Sequence, residues 1–478
     1  NACRKLPVGI QSFNKIREEG YLYVDKSDII WKLANNGKQY NYLSRPRRFG
    51  KSVLVDTLQA YFEGRKELFE GLKIMDLEKE WKQYPVIRFD MSRGGATANE
   101  VKAYLDRTFD VYEQLYGIHI KPTDSLGNRF DLIIKTAYEQ TGLKVAILID
   151  EYDSPLQHSW KTPKHEGCTE VYRSVFSILK ADDAYQRFVF ITGITTFTQI
   201  SLFSVLNNLT NISFLPEYAA ICGITEEEIG ENFKPELERM AEVNEWTLQQ
   251  THDNLKDYYD GYHFSRRNMV DIYNPFSILN SLSKKILSDF WFRTGSPTYL
   301  VRLLAHFDEN LNELTGKFYP TSSFIDYKAD TEAPLPMIYQ SGYLTIKDWN
   351  MDTDSYLLDF PNDEVKAGFV TMVAANYLKP KESPDAWVVE VVNTMKTGDC
   401  DKLEKLLTSF FASIPYSQRR KDDEREKERY FQYTFYLVIR MISSFTVLIE
   451  KEQSEGRVDC IIETPMFVYI FEFKHDRS

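Results

Sequence analysis

A short segment near the start of the chain has the residue types and spacing of a phosphate-binding loop. Gly50, Lys51 and Ser52 follow a short apolar run and precede apolar residues at helical spacing. In such a loop the glycine permits a tight turn, the ammonium binds the β- and γ-phosphates, and the hydroxyl binds Mg²⁺. Arg45 stands where the usual motif has its first glycine. We predict that Lys51 binds ATP and that Ser52 is a ligand of its Mg²⁺.

A pair of acidic residues follows the apolar run of residues 145–149. Asp150 and Glu151 would lie at the C-terminal end of a buried strand, which is the arrangement of a Walker B motif. There the Asp binds Mg²⁺ directly or through water, and the Glu orients or deprotonates the attacking water. By itself the pair is equally consistent with a solvated turn. Together with the phosphate-binding loop it predicts ATP hydrolysis, with Asp150 as a metal ligand and Glu151 as a catalytic residue.

Threonines stand at the end of another apolar run, residues 187–193, and just beyond it. Thr192, Thr195 and Thr196 are placed where a polar side chain would stand between the two motifs, near the γ-phosphate. Ordinary capping of a strand end is the alternative interpretation. We assign Thr192 to the nucleotide site as a prediction.

Residues 47–50 complete the candidate nucleotide site. Arg47 and Arg48 would add positive charge at the phosphates or reach a neighbouring subunit of a homo-oligomer. A solvated basic loop is an equally good interpretation. Phe49 and Gly50 belong to the same loop, so all four residues are predicted to contribute to nucleotide binding.

Two carboxylates and a lysine form a second chemical group near the end of the chain. Glu472 and Lys474 stand two apart in an apolar run, so both side chains leave the same face of a strand, and Asp459 lies in the preceding run. A metal-dependent phosphodiesterase needs two carboxylates for Mg²⁺ and a lysine that orients water or stabilises developing negative charge. We predict Asp459 and Glu472 as metal ligands and all three residues as catalytic. The runs predict a three-stranded β-meander over residues 444–450, 457–463 and 467–474.

Alternating apolar runs and helical patterns predict the elements that must position these residues. A doubly wound α/β domain with a parallel sheet is expected over residues 1–215. A mostly helical lid, with a helix start at Thr225, and a loop-rich connection from residue 316 are expected within 216–385. Residues 386–478 are the third predicted domain. The predicted strands of the first domain are 39–44, 85–90, 144–149 and 187–193, and the predicted helices include 52–62, 99–116, 170–181 and 387–412.

Composition limits the class of protein. With 43% apolar residues over 478 positions the chain is globular, and no apolar run approaches the ~20 residues of a membrane helix. We expect a cytoplasmic protein with no membrane partner. A net charge of −12 argues against a surface that binds nucleic acid throughout, but it is compatible with a local basic groove. The five cysteines stand far apart, which predicts neither a zinc site nor a disulfide framework.

Four segments carry a specific resemblance. LSRPRRFGKSVLVDTLQAYFEG, ILIDEYDSPL, FVFITGIT and YDGYHF resemble the bacterial AAA-ATPase-like family that is often linked to a C-terminal nuclease-like domain. In that family RPRRFGKS, with its first arginine, is itself the characteristic form of the loop. The resemblance covers most of residues 6–300 and implies an AAA-related P-loop NTPase of the additional-strand type. It carries over Lys51, Ser52, Asp150 and Glu151 as residues of the ATP site.

The C-terminal segment resembles the PD-(D/E)XK nuclease superfamily, which has a restriction-endonuclease-like α/β fold. Asp459, within GRVD, is followed by Glu472 and Lys474 in the pattern of that superfamily, over about residues 390–478. Glu428 matches the position of an accessory acid, with the neighbouring Glu424 and Glu426, or a solvated helix face, as the alternatives. Four residues follow Lys474, whereas the resemblance implies a further helix over the sheet. Because the first residue is also not Met, we expect a fragment of a longer protein.

Two functions are compatible with these sites. In the first, ATP binding and hydrolysis control a metal-dependent nuclease-like domain that acts on DNA or RNA. In the second, the chain is a nucleotide-operated switch or scaffold whose C-terminal domain is a degenerate, non-cleaving binding module. The intact set of Asp459, Glu472 and Lys474 favours the first. A DNA-moving motor is disfavoured, because no basic channel with interleaved aromatic residues can be read from the sequence.

Overall fold

The computed structural model describes most of the chain. Two compact units result from its internal contacts, Asn1–Trp291 with Lys317–Pro361, and Phe292–Gly316 with Asn362–Ser478. The domain boundaries at residues 215 and 385 stay predictions. No helix in the described ranges is both long and apolar enough to cross a membrane. The described residues are 4–160, 162–194, 206, 208–266, 270–294, 315–321, 335–369, 384–413, 446–453, 456–464 and 466–471, with only the backbone described at 337, 384–388, 410–413, 446–453, 456–461 and 463.

Parallel strands form the central sheet of the first unit. Their order is β2-β3-β4-β1-β5, so β4 separates β1 from β3. An extra strand at that place defines the additional-strand type of P-loop sheet, and this predicted fold is confirmed. The four predicted strands are present with end shifts of one residue. The strands are β1 Tyr40–Ser44, β2 Val86–Asp90, β3 Val145–Asp150, β4 Gln186–Gly193 and β5 Thr210–Asn211.

Helices accompany this sheet, and their ends follow local sequence signals. In α5 the side chains of Thr97 and Glu100 form a capping box, and Gly117 ends the helix with a φ of 63°. The helical pattern predicted at 170–181 is confirmed, although the helix starts earlier and a turn at Ser177 divides it into α8 and α9. The helices are α1 Phe13–Glu18, α2 Ser27–Ala34, α3 Lys51–Phe62, α4 Ile74–Leu77, α5 Ala98–Tyr116, α6 Leu126–Thr141, α7 Ser154–Ser159, α8 His165–Phe176 and α9 Ile178–Ala181.

A helical segment with its own apolar core follows the central sheet. The predicted helix start at Thr225 is confirmed, because Thr225 and Glu228 form a capping box there. The core includes Phe233, Met240 and Tyr259, all fully buried. A two-stranded antiparallel sheet pairs the strand at the start of the segment with the strand that follows its third helix. Its elements are β6 Ile224–Thr225, α10 Glu226–Asn232, α11 Lys234–Asn244, α12 Leu248–Tyr259, β7 Ile272–Tyr273, α13 Pro275–Lys284 and α14 Phe290–Thr294.

The region expected to be loop-rich contains an antiparallel sheet, so that expectation is wrong for its strands. The strand order is β8-β10-β9. β8 pairs with β10, although the two strands are separated in the chain by more than a hairpin turn. Local patterns miss such pairing because its hydrogen bonds join segments that are distant along the chain. The elements are β8 Lys317–Pro320, α15 Leu335–Gln340, β9 Thr345–Asn350 and β10 Ser355–Asp359.

The second unit contains a helical pair and the predicted β-meander. The meander is confirmed as an antiparallel sheet in chain order. The helical pattern predicted at 387–412 is confirmed, and Gly398, with a φ of 73°, divides it into two helices. Tyr469 Oη donates a 2.7 Å hydrogen bond to the Met395 carbonyl and so joins the sheet to the first of them. The elements are α16 Pro384–Thr397, α17 Cys400–Ser413, β11 Thr446–Gln453, β12 Gly456–Glu463 and β13 Val468–Phe471.

Candidate nucleotide-binding site

The predicted phosphate-binding loop connects the C-terminal end of β1 to the start of α3. Gly50 caps α3 with a φ of 89°, a left-handed conformation that glycine adopts without strain. Arg48 also has a positive φ, of 60°. The loop therefore turns sharply and brings backbone N–H groups to the N-terminus of a 12-residue helix, where an anion is stabilised.

Lys51 is buried in this loop, with 3% of its surface exposed. Its Nζ donates hydrogen bonds to the carbonyls of Arg45, at 3.0 Å, and Pro46, at 2.9 Å. Burial lowers the pKa of Lys51, and the charges of Glu151 and Asp150 oppose that shift. The ammonium therefore lies within the loop, close to the acidic residues that follow β3. Ser52, half-buried, is the next residue of α3.

Arg45, at the position of the usual first glycine, is buried and hydrogen-bonded to the backbone. Its guanidinium is 1% exposed and donates to the carbonyls of Ser44 and Ser213, at 2.9 Å each, and of Tyr218, at 3.1 Å. It also lies 4.0 Å from the ring centre of Phe264. Desolvation by this burial lowers the pKa of Arg45 to about 10. The side chain thus ties the loop to elements that follow the central sheet in the chain.

The other predicted loop residues have different surroundings. Arg47 is half-buried, and its Nη2 lies 3.4 Å from Gln157 Oε1. Arg48 is exposed, with its guanidinium 4.4 Å from the ring centre of Phe276. Phe49 is fully buried and makes edge contacts with other aromatic rings. Only the two arginines therefore keep polar groups accessible to a ligand, whereas Phe49 anchors the loop.

Asp150, Glu151 and Thr192 are joined by one hydroxyl group. Thr192 Oγ1 donates a 2.6 Å hydrogen bond to Asp150 Oδ1 and accepts one of 3.2 Å from the Glu151 N–H. Asp150 and Thr192 are buried, at 2% and 0% exposure. β4 lies beside β3, which brings Thr192 to the end of the strand that carries both acids. Thr192 therefore orients Asp150, whereas Thr195 and Thr196 lie outside the described residues.

Glu151 occupies a strained position beside other charges. Its φ of 47° is in the left-handed region, which is unusual for a residue other than glycine. Burial raises the pKa of its carboxyl group, Lys51 lowers it, and Asp150 and Asp153 raise it further. A carboxyl group with a raised pKa in such surroundings is typical of a general base.

Sequence reasoning missed Asp90, at the end of β2. Asp90 pairs in register with Asp150 on the neighbouring strand, and its charge contributes to the raised pKa of Glu151. The sequence VIRFD, an apolar run that ends in an acid, was the available signal. The carboxyl ends of β1 to β4 thus bring Lys51, Asp90, Asp150 and Thr192 to one edge of the sheet.

Sequence reasoning also missed the aromatic residues that fix the loop from outside. Trp291, 2% exposed, donates a 2.9 Å hydrogen bond from Nε1 to the Arg47 carbonyl. The ring centres of Tyr262 and Phe49 are 4.8 Å apart. Gly342 packs so closely on Pro46 that a Cβ atom there would come within 2.6 Å of it. No sequence spacing indicates these contacts, because each joins residues far apart in the chain.

We expect Trp291→Phe to weaken ATP binding about fivefold. The ring is kept, but the hydrogen bond to the Arg47 carbonyl is lost, and such a bond is worth ~1 kcal/mol, which is about a factor of five. Equilibrium titration of the full chain with a fluorescent ATP analogue measures the change. Trp349→Phe is the matched control, because it removes an indole hydrogen bond to Asp354, of 3.3 Å, in a different sheet. Equal affinity for both variants would contradict the prediction.

The predicted C-terminal site lies largely outside the described residues. Asp459 is in β12, at a position where only the backbone is described, and Glu428, Glu472 and Lys474 are outside the described ranges. Residues Cys460 to Glu463 of β12 pair with β13, and Asp459 directly precedes this paired stretch. Among the described side chains, no group of three or more His, Cys, Asp or Glu is placed to hold a metal ion.

Comparisons with known families agree with this geometry. The strand order, the loop before α3 and the acids after β3 define an AAA-related P-loop protein. The family described as "Predicted AAA-ATPase" matches residues 7–203, and the one described as "PD-(D/E)XK nuclease superfamily" matches residues 426–478.

One curated relative spans nearly the whole chain. The uncharacterized protein in the vnfD 5′ region of Azotobacter chroococcum mcd 1 is 34% identical over 479 aligned residues, covering 98% of this chain and 89% of the relative. This chain therefore belongs to the AAA-ATPase-like family that carries a C-terminal domain of the PD-(D/E)XK nuclease superfamily.

Two solved structures share a distant likeness. The Aeropyrum pernix ORC2 protein in ADPNP-ADP complexes is 10% identical, with a TM-score of 0.32, over 74% of this chain and 93% of that chain. Cdc6p from Pyrobaculum aerophilum is 11% identical, with a TM-score of 0.28, over 73% of this chain and 96% of that chain. Likenesses at this level carry no conclusion for this chain.

Proposed function

We propose that this chain binds Mg²⁺·ATP at the loop before α3, hydrolyses it, and thereby controls a metal-dependent nuclease-like domain that acts on nucleic acid. The observation that carries the proposal is the position of Lys51. Its buried ammonium lies within a loop that ends at a helix N-terminus, beside the acidic end of β3. A buried cation with carbonyl partners suits the charged oxygens of a polyphosphate.

The residues predicted from the sequence at the C-terminal ends of the strands and at the start of α3 each have a role in this proposal. Lys51 binds the β- and γ-phosphates, and Ser52 and Asp150 hold Mg²⁺, which neutralises charge on the phosphates. Glu151 takes a proton from the attacking water or orients it. Thr192 supports the geometry of both acids through its hydroxyl group.

The other residues of the loop have supporting roles in nucleotide binding. Arg47 and Arg48 retain charge near the loop and supply electrostatic attraction for the triphosphate. Gly50 allows the turn that brings the backbone close to the phosphates. Phe49 holds the loop in place through its buried ring.

The nuclease half of the proposal depends on the C-terminal residues. The nuclease-superfamily match at residues 426–478 includes Asp459, Glu472 and Lys474. We assign the two carboxylates as Mg²⁺ ligands and Lys474 as the group that orients water or stabilises negative charge. The substrate class is DNA or RNA.

Cleavage assays on the full chain test the nuclease half. Labelled single- and double-stranded DNA and RNA are incubated with Mg²⁺ or Mn²⁺, with and without ATP. We expect metal-dependent cleavage that Asp459→Ala and Lys474→Ala each reduce at least about 100-fold, since two carboxylates and a lysine act as one unit. Cleavage undiminished in both variants would remove the nuclease assignment. No cleavage by the unmodified chain under any condition would favour the switch or scaffold with a non-cleaving domain.

A further inference from the structure

An open groove follows the outer edge of the central sheet. It lies beside β2, the edge strand, has a volume of about 620 Å³, and is lined by residues of α3, β2 and α5 and of the turn after β2. Arg88, Arg93 and Arg107 line it, together with one carboxylate, that of Asp90. On a chain with a net charge of −12, this local excess of arginine has the opposite sign to the protein as a whole.

Two tyrosines of α5 already occupy the hydrogen-bonding edge of β2. The hydroxyl of Tyr112 accepts a 2.8 Å hydrogen bond from the Arg88 N–H, and that of Tyr104 accepts one of 2.6 Å from the Asp90 N–H. A peptide strand therefore cannot pair with β2 at these positions. Burial raises the pKa of Tyr112 to about 12, so its hydroxyl keeps a proton to donate at neutral pH. The groove thus offers hydrogen-bond donors.

Arg107 provides charge that no described carboxylate neutralises. It is exposed on α5, and no ion pair joins it to another residue in the described part of the chain. Its acidic neighbours on α5, Asp106 and Asp110, are instead bound to Arg129, with Asp110 at 2.9 Å. Arg129 therefore removes the carboxylates that would otherwise compete for Arg107.

The other two arginines also retain donors. Arg88 Nη1 is held by Asp56 Oδ1, at 2.7 Å, and Gln59 Oε1, at 2.9 Å, whereas Nε and Nη2 have no partner among the described residues. The Arg93 side chain is 76% exposed and lies 3.1 Å from Asp90. Exposed ion pairs of this kind contribute little and yield readily to a stronger anion.

We propose that this groove binds the phosphate backbone of a nucleic acid strand, with Arg107 as its principal contact. Guanidinium groups bind phosphate through paired hydrogen bonds, and three of them along one groove match successive phosphates better than a single small anion. The inference rests on the nucleic-acid half of the proposed function. It adds a binding surface on the unit that contains the ATP site, separate from the C-terminal domain.

Binding of a labelled single-stranded oligonucleotide to the full chain tests the groove. Fluorescence anisotropy is measured in EDTA, so that no cleavage occurs, over a series of salt concentrations. Arg107→Glu is expected to weaken binding at least about tenfold, because it replaces a phosphate contact with a like charge. Lys102→Glu is the matched control, since Lys102 is exposed on the same helix but does not line the groove. It is expected to change affinity less than about twofold.

The salt dependence of binding is a second measurement, and a variant that only disturbs the fold would not change its slope. For single strands each phosphate contact contributes ~0.7 to the slope of log affinity against log salt. Replacing both Arg93 and Arg107 by Ala is therefore expected to reduce the slope by about 1.4. An unchanged slope would overturn the proposal, as would equal losses in Arg107→Glu and Lys102→Glu.

Two further outcomes separate this inference from the proposed function. If polyglutamate displaces the strand as efficiently as unlabelled oligonucleotide does, the groove takes acidic protein segments and the proposal is wrong. If the unmodified chain binds no nucleic acid, the groove and the nucleic-acid half of the proposed function both fail. The ATP half is judged separately, because ATP affinity is measured on the same protein preparations with Mg²⁺ in place of EDTA and is expected to be unchanged in Arg107→Glu.

Discussion

Lys51→Ala is expected to lower the affinity for ATP at least about 100-fold. The variant loses an ammonium that would make charge-assisted hydrogen bonds to two phosphates, and a loss of ~2.7 kcal/mol corresponds to a factor of 100. ATP hydrolysis should fall with binding, since the same residue holds the transferred phosphate. Isothermal titration calorimetry of the full chain with ATP and Mg²⁺ measures the affinity directly.

A buried lysine requires a control for folding. The Lys51 ammonium holds the Arg45 and Pro46 carbonyls, so its removal also loosens the loop. Thermal unfolding monitored by circular dichroism shows whether the variant keeps its fold. Lys32→Ala, which removes an exposed lysine of α2, is the matched control and should leave affinity unchanged. A folded Lys51→Ala protein with unaltered ATP affinity would make the phosphate assignment wrong.

Glu151→Gln is expected to slow ATP hydrolysis by a factor of about 10² to 10⁴ and to change ATP affinity by less than about threefold. General base catalysis contributes ~10²–10⁴ to a rate, and the amide keeps the size of the side chain while losing its basicity. Steady-state phosphate release and nucleotide titration separate the two quantities. Glu170→Gln, at an exposed position of α8, is the control. A variant that hydrolyses ATP at the unmodified rate would contradict the role of Glu151.

The pH dependence of hydrolysis follows from the same residue. A general base acts in its deprotonated form, and burial raises the pKa of Glu151 above that of an ordinary glutamate. The rate is therefore expected to fall on acidification at a pH above ~4.3, the usual glutamate pKa, and to be maintained on the alkaline side of the raised pKa. A rate that stays constant down to that value would show that Glu151 does not act as the base.

Much of the central sheet was predictable because its strands are buried on both faces. The run VAILI is continuous in apolar residues, and the strand ends at the acid that follows it. Helix starts were predictable where a capping box is present, as at Thr225. The sheet formed by β8, β9 and β10 was not predictable, because β8 is mostly exposed and β9 carries polar residues such as Asp348 and Asn350.

The candidate site divides in the same way. Lys51, Ser52, Asp150 and Glu151 could be proposed from the sequence because their residue types, at a helix start and after a strand, suit the chemistry of ATP hydrolysis. Thr192 could also be assigned to this place, but its hydrogen bonds to Asp150 and to the Glu151 N–H could not, since they require β4 to lie between β1 and β3. The strand order is set by packing across the whole sheet, and no local pattern contains it.

In the phosphate-binding loop, the sequence determined the residue types, and the tertiary structure determined the contacts that fix them. The sequence alone determined that a turn, an ammonium and a hydroxyl occur together before a helix, because these are properties of consecutive residues. Only the tertiary structure decided that Arg45 turns inward to the carbonyls of Ser213 and Tyr218, and that Trp291 holds the Arg47 carbonyl. Those contacts depend on the chain returning to the loop from far along the sequence. Burial then makes them necessary, since a guanidinium removed from water must find acceptors in the protein.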